Sequence, residues 1–278
     1  MRKRFLFTDL DLTLLTSEKT ISGENLEAIN HFLDEGNYFA FVTGRPFEDT
    51  APLAKRFMLE RDGVYIASLN GGKMSEFKNG EWVTIIKEPV SFEDTRFLFE
   101  EAEKRHVHCQ TYTDRYVVAL HDTDILRSYT NGKALDPYVV PDIDSLMDCL
   151  PEPPLKVVCA ALNDRPSLER FQEYITPLIN DRLFSLFSSD RLLEFGTWNA
   201  TKAKAVEFLS KHVGIDIKDT VAAGDEANDI SMIQAAGIGY AVSNAREEVK
   251  AEADRIAEND HNHGAIAEII RSVFHFGS

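Results

Sequence analysis

Three runs in the first quarter of the chain are apolar without interruption: Phe5-Leu6-Phe7, YFAFV at 38–42 and VYIA at 64–67. An alternating strand can leave one face in water, but a strand apolar at every position must be covered on both. The segments between these runs have helical periodicity. SGENLEAINHFLDEG offers Ser22 as an N-cap, Leu26, Ile29 and Leu33 on one face, and Gly36 to close the helix. A second helix is expected from about Pro46, a good first-turn residue. Helices alternating with fully apolar strands predict a parallel sheet sandwiched between two helical layers, an α/β fold.

The rhythm changes after about residue 84. YVVALH, KVVCAAL and RLFSLFSS are alternating or β-branched, and lie among helical stretches such as FEDTRFLFEEAEKRH and PSLERFQEYITPLI. LPEPPLK, at 150–156, is a Pro-rich loop among them. Parallel-sheet rhythm returns near residue 200, where TKAKAVEFLSKHVG sets Val206, Leu209 and Val213 on one helix face. TVAAGD then reads as a buried strand, ANDISMIQAAG as a helix and GYAVSN as another strand. The organisation expected is a core of residues 1–84 and 190–278, interrupted by an α+β insert over 85–189.

Polar residues follow the strands at once: Asp9 and Asp11 after the first, Thr43-Gly44-Arg45 after the second, Asn70-Gly71 after the third. Gly224-Asp225, with Asn228-Asp229, follows a late one. In an open parallel sheet, ligands bind beyond the carboxyl ends of the strands. Carboxylates converging there from two strands repel, and each tends to take up a proton unless a cation is shared. Mg²⁺ meets that need, since it prefers carboxylate oxygens and bridges to phosphate. A carboxylate in such a pocket can attack phosphorus, and a neighbouring one can serve as acid and then base.

Composition removes several alternatives. The formal charge of −16, from 30 Lys+Arg against 46 Asp+Glu, disfavours nucleic acid and anionic membrane as partners. Cys109, Cys149 and Cys159 are odd in number and lack zinc-ligand spacing, which fits a reducing cytoplasm. Met1-Arg2-Lys3-Arg4 followed by an apolar run imitates a leader, but Asp9 and Asp11 cut the run short. His106, His108, His121, His261 and His263 form two H-x-H pairs without an evident third ligand and read as surface residues. Phe97, Phe99, Tyr112, Tyr116 and Tyr129 of the insert read as core.

DLDLT, TGR, the helix-borne lysine of TKAKAV, and GDEANDI resemble, in that order, the four motifs of the haloacid dehalogenase superfamily. The likeness is closest to its Cof-type sugar-phosphatase branch, which carries a large α/β cap between the second and third motifs. SLNGG (Asn70-Gly71), AVSNAREEVKAEAD (Asn244-Ala245) and ENDHNHGAI (Asn259, Gly264) extend it, so that it covers about 4–84 and 190–270. The resemblance implies a Rossmann-like core with an inserted cap. It also implies a Mg²⁺-dependent phosphatase acting on a small phosphorylated metabolite, of the sugar- or polyol-phosphate class, through an aspartyl-phosphate. Asp9 would be nucleophile and metal ligand. Asp11 would be the acid/base, with its backbone carbonyl on the metal, and Asp225 the third ligand. The Thr43-Gly44-Arg45 turn, Asn70, Lys202 and Asn228 would hold phosphoryl group and substrate, while Asp229 and Asn228 orient Lys202 and the metal's waters. Leu12 and Ala203 stand where the pattern has glycine.

Three rival activities are compatible with parts of this pattern. A phosphohexomutase on the same fold needs a clustered basic face, whereas Arg96, Arg105, Arg115 and Arg127 are scattered among acids. A receiver-type signalling domain shares the acidic pocket but is about half as long. A non-catalytic phospho-ligand binding protein would follow if Leu12 blocked the pocket.

Overall fold

The computed structural model describes residues 3–273; Met1 and Arg2 of the basic N-terminal tetrapeptide lie outside the described residues. The chain divides into two compact units, residues up to Ile86 with those from Thr201 onward, and the intervening Lys87–Ala200.

The first unit starts with strands β1 (Phe5–Thr8), β2 (Tyr38–Val42) and β3 (Val64–Ser68). A hairpin of β4 (Lys73–Lys78) and β5 (Glu81–Lys87) follows, its two-residue turn using Asn79 and Gly80 at φ 54° and 87°. Left-handed values at both turn positions match the right-handed twist of the flanking strands. The insert contributes β6 (His108–Tyr112), β7 (Tyr116–Ala119), β8 (Asp136–Val139), β9 (Val157–Ala160), β10 (Leu183–Ser189) and β11 (Leu192–Thr197). The chain closes with β12 (Thr220–Gly224), β13 (Ile238–Ala241) and β14 (Arg255–Ile256).

The first unit's sheet has the order β14-β13-β12-β1-β2-β3-β4-β5, parallel from β14 to β3. Both faces are buried, as the unbroken apolar runs require. Leu6, Phe39, Phe41 and Ile66 pack with Ile29 and Phe32 of helix Gly23–Asp34 and with Ile266 and Ile270 of helix Ala265–Val273. Phe5, Phe7, Val42 and Ala67 pack with Ala205, Val206 and Leu209 of helix Lys202–Val213 on the other face. Full burial of each large side chain contributes roughly 1.5–3 kcal/mol, so adjoining residues of one strand anchor opposite helix layers. Strand order runs outward in one direction from β1 and in the other from β12. These neighbours therefore flank the switch point where an open sheet leaves a crevice at its carboxyl edge.

The second unit is a six-stranded, mostly antiparallel sheet, β10-β11-β9-β6-β7-β8, with helices Phe92–Lys104 and Arg165–Ile179 packed on one face. Phe99 and Tyr112 are buried and Phe97, Tyr116 and Tyr129 partly so, all within its apolar clusters. The units meet at 86/87 and 200/201, against 84/85 and 189/190 expected from the sequence. The second boundary moves because β11 pairs antiparallel with β10 and β9, which holds Leu192–Thr197 in the insert's sheet. No helix among the described residues is long and apolar enough to cross a membrane.

One ion pair of the second unit is buried. Lys156 Nζ lies 3.0 Å from Glu194 Oε1, which also accepts from Ser188 Oγ at 2.6 Å. Removing one buried partner strands the other's charge at a cost of about 3–5 kcal/mol, whereas an apolar pair of similar volume is often neutral. Lys156→Met is therefore expected to lower stability by about that amount in urea unfolding, and Lys156→Met/Glu194→Leu to recover most of it. A single variant as stable as the parent would show that the pair is not integral to the unit.

Candidate functional site

β1 and β12 run parallel in register, Thr8 beside Ala223, and the pairing continues one residue further, with Asp9 N donating to Ala223 O at 2.9 Å. That register sets Asp9 and Asp225 at the ends of adjacent strands. Between them comes Gly224, where a Cβ would lie 2.3 Å from Cβ of Asp229. The absent side chain is what lets Asp229 fold back against the end of β12. There its Oδ2 accepts from the amides of Asp225 and Glu226 at 2.9 and 3.0 Å.

Lys202 completes the group. It is the first residue of its helix, after the N-cap Thr201, and is 1% exposed. A cation is disfavoured at a helix N-terminus, where backbone amides carry partial positive charge, so this lysine needs anionic partners. It has two: Nζ donates to Asp9 Oδ1 at 2.6 Å and to Asp229 Oδ1 at 2.5 Å. Burial would lower the pKa of Lys202, but Asp229 and Asp9 outweigh it and raise it. Gly71, at φ 105°, brings the Asn70 turn to the same helix start, where a Cβ would meet Thr201 O at 2.8 Å. Asn228 Nδ2 donates to Asn70 Oδ1 at 3.3 Å, which joins the ends of β3 and β12.

One ammonium does not balance three carboxylates. Ligand atoms of Asp9, Asp225 and Asp229 lie within 4.8 Å of one another, and all three residues are buried. Burial, more than Asp229 and Asp11, drives Asp9 up to about 7 despite Lys202. Burial, then Asp9 and Asp229, drives Asp225 up to about 8, although Thr13 Oγ1 donates to its Oδ1 at 2.5 Å. An all-oxygen donor set short of positive charge is one that could hold a metal ion.

Asp11 has different surroundings. Arg45 donates through Nε to Oδ2 at 2.7 Å and through a terminal nitrogen to Oδ1 at 2.5 Å, while Lys19 Nζ reaches Oδ1 at 2.8 Å. Burial would raise Asp11, but Arg45 and then Lys19 hold it down at about 2. Its carboxylate therefore stands apart from the Asp9–Asp225–Asp229 group. Thr43 lies in the turn after β2, tied by Thr43 N to Ala67 O and Asn70 N to Thr43 O, both at 2.9 Å. Arg45 N donates to Thr43 Oγ1 at 3.2 Å, with Gly44 between them. Leu12 takes φ 60°, the left-handed conformation that glycine would adopt without strain, and its side chain is 40% exposed. Ala203 is the second residue of its helix and keeps helical geometry.

The structure thus brings Asp9, Lys202, Asp225 and Asp229 into contact, joins Asn70 to Asn228, and pairs Arg45 with Asp11. Sequence reading missed Lys19, which has no spacing signal and reads as an ordinary loop residue, and it gave no role to Thr13 although the DLDLT motif contains it. It also placed His261 on the surface, whereas that residue is 8% exposed: its ring reaches Ser17 Oγ at 3.1 Å and its amide donates to Asn244. His106, His121 and His263 are exposed as read.

Comparisons with known proteins extend over this whole framework. A family model described as haloacid dehalogenase-like hydrolase matches residues 6–270. The pyridoxal phosphate phosphatase YbhA of Escherichia coli is 27% identical over 279 residues, covering 98% of this chain and 99% of its own. The 5-amino-6-(5-phospho-D-ribitylamino)uracil phosphatase YwtE of Bacillus subtilis is 26% identical, with 92% and 93% covered. A crystal structure of a haloacid dehalogenase-like hydrolase from Bacteroides thetaiotaomicron superposes with a TM-score of 0.85 at 26% identity, covering 98% of this chain and 100% of that one.

The charge imbalance has a measurable consequence. Asp9 and Asp225 have folded-state pKa values above the ordinary 3.8, so the stability from their bound protons is full below that pH and is lost as pH rises through about 7–8. Asp11, held at about 2, contributes in the opposite sense only between 3.8 and about 2. In EDTA, the site's contribution to the melting temperature is expected to fall between about pH 4 and 8, and Asp225→Asn to reduce that slope. An identical slope in parent and variant would contradict the charge assignment.

Proposed function

The chain belongs to the haloacid dehalogenase-like hydrolases, and from that membership and the site geometry we propose a Mg²⁺-dependent phosphatase. Its substrate would be a small phosphorylated metabolite of the sugar- or polyol-phosphate class, cleaved through an aspartyl-phosphate at Asp9. The observation that carries this reading is the Asp9–Lys202–Asp229 contact beside an uncompensated Asp225 at the switch point. One curated relative is named for a phosphorylated ribityl compound, which supports the polyol-phosphate class, and another for pyridoxal phosphate, which supports only a small phosphorylated metabolite.

Lys202 occupies Oδ1 of Asp9, and Oδ2 has no hydrogen-bond partner among the described residues. Oδ2 is the oxygen able to form the new bond to phosphorus as the bond to the leaving oxygen breaks. Lys202, pinned by Asp229, faces the charge that accumulates on the phosphoryl oxygens, and a fixed ammonium in a buried pocket needs no reorganisation to do so. Asp9, Asp225 and the backbone carbonyl of Asp11 would hold Mg²⁺, which when bound supplies the missing positive charge and polarises the phosphoryl group.

Asp11 is assigned the proton transfers: to the leaving oxygen first, then from the water that cleaves the aspartyl-phosphate. In the free site it is ionised by Arg45 and Lys19. Taking up a proton therefore requires those donors to turn toward the substrate's phosphoryl oxygens. Arg45 is suited to that exchange, because a guanidinium fits phosphate and carboxylate with the same two-pronged geometry.

Asp9→Asn is expected to cut turnover of an aryl phosphate in Mg²⁺ to below about 1% of the parent, since nucleophile and metal ligand are lost together. Melting without metal should be unchanged or raised. The parent should lose activity in EDTA and regain it with Mg²⁺. Asp9→Asn turnover near the parent's, or a parent indifferent to EDTA, would overturn the reading.

A further inference from the structure

We propose that Cys109 and Cys159 form an oxidisable dithiol in the second unit, which a small hydroperoxide converts to a disulfide joining the two central strands of that unit's sheet.

Strand pairing sets the two thiols face to face. β6 and β9 lie side by side at the middle of the order β10-β11-β9-β6-β7-β8 and run antiparallel, with Cys109 directly opposite Cys159. Residues opposite one another in an antiparallel pair project from the same face, with Cα atoms about 4.5–5.5 Å apart. A disulfide spans Cα separations of about 4.4–6.8 Å, so the strand spacing already suits the bond. Both side chains enter the apolar cluster formed with Leu98 and Phe99 of helix Phe92–Lys104 and with Leu168 and Phe171 of helix Arg165–Ile179. Cys149 stands apart from this register: it ends helix Ile143–Cys149, and its thiol donates to Leu146 O at 3.1 Å. All three cysteines are free thiols.

The pair is reached from one side. Cys109 is 7% exposed and lines a cavity of about 250 Å³ together with Phe99, Val107, Leu120 and His121, whereas Cys159 is fully buried. Water occupies about 30 Å³ per molecule in the liquid, so the cavity has room for hydrogen peroxide or a short alkyl hydroperoxide. A folded oxidoreductase cannot enter it.

A hydroperoxide is the only co-reactant the chemistry needs. The Cys109 sulfur, as thiolate, attacks a peroxide oxygen: the S–O bond forms, the O–O bond breaks, and the departing hydroxide or alkoxide takes up the proton that Cys109 released. The Cys159 sulfur then attacks the sulfenic sulfur, so that S–S forms, S–O breaks, and the hydroxide leaves as water with the Cys159 proton. The two thiols are oxidised and the peroxide is reduced to water, or to water and an alcohol. Burial, and next the Cys159 thiol, hold the Cys109 thiol well above its ordinary range, which keeps the thiolate scarce and the first step slow. The pair therefore stays reduced at low oxidant and closes under sustained oxidation. With Cys159 already opposite, disulfide formation outruns further oxidation to sulfinic acid. The new bond closes the segment 109–159, which holds β7, β8 and helices Asp124–Thr130 and Ile143–Cys149. Closing a long loop stabilises the fold by restricting the unfolded chain.

In the test, native protein is exposed to hydrogen peroxide with EDTA present, its remaining thiols are alkylated, and peptides are mapped by mass spectrometry. A link between the peptides carrying Cys109 and Cys159 is expected, in the parent and in Cys149→Ser alike, and dithiothreitol should reverse it. The oxidised parent should melt about 5 °C or more above the reduced form. In Cys159→Ala, dimedone should capture a sulfenic acid at Cys109, while in Cys109→Ala it should leave Cys159 unlabelled. If an alanine variant does not fold, the parent's linkage and melting shift carry the test. A link that forms only in urea, a link through Cys149, or Cys109 left as thiol or driven to sulfinic acid would overturn the inference.

Discussion

The ammonium of Lys202, enclosed between Asp9 and Asp229, is the contact on which the rest of the first unit's carboxyl edge depends. At an effective dielectric of about 20, two opposite charges at 4 Å attract by roughly 4 kcal/mol, while burial costs several kcal/mol per ion. One lysine can offset much of the cost of two carboxylates. It cannot also compensate Asp225, and the upward shifts of Asp9 and Asp225 express that deficit. A site built this way is poised to accept positive charge.

The geometry that creates the deficit comes from the sheet. β1 and β12 are neighbours because the chain leaves the core after β5 and returns on the opposite side of β1, so two acidic strand ends meet at the switch point. Close approach is then permitted by missing side chains. Gly224 admits Asp229 and Gly71 admits the start of the Lys202 helix. In this respect the apolar strands and the acidic cluster are linked: the same in-register pairing that buries Phe5 and Phe7 sets Asp9 and Asp225 at adjacent strand ends.

Much of this was legible in the sequence because it is local or periodic. Unbroken apolar runs required a sheet covered on both faces, and Asp9, Thr43, Asn70, Lys202 and Asp225 each sit at the end of an element whose period reveals it. The rest depends on long-range pairing. Nothing local marks LLEFGT as the partner of β9 and β10 rather than a return to the core, and the boundary at 200/201 follows from that pairing. The partners of Asp11 were hidden for a similar reason. Lys19 looks like a solvated loop lysine until the loop is closed over by residues more than two hundred positions away. His261 was misread because a histidine among Asp, Asn and His has the composition of a surface turn, and only the fold encloses it.

The central claim is that the pocket exists to let Asp9 become a phosphoryl acceptor, and borohydride trapping reaches it directly. Enzyme quenched during turnover of an aryl phosphate and reduced with borohydride would convert an aspartyl-phosphate to homoserine, which peptide mass spectrometry locates. Homoserine at position 9, dependent on substrate and absent from Asp9→Asn, is the outcome expected. Steady turnover with the modification at another carboxylate, or with none at position 9, would contradict the account.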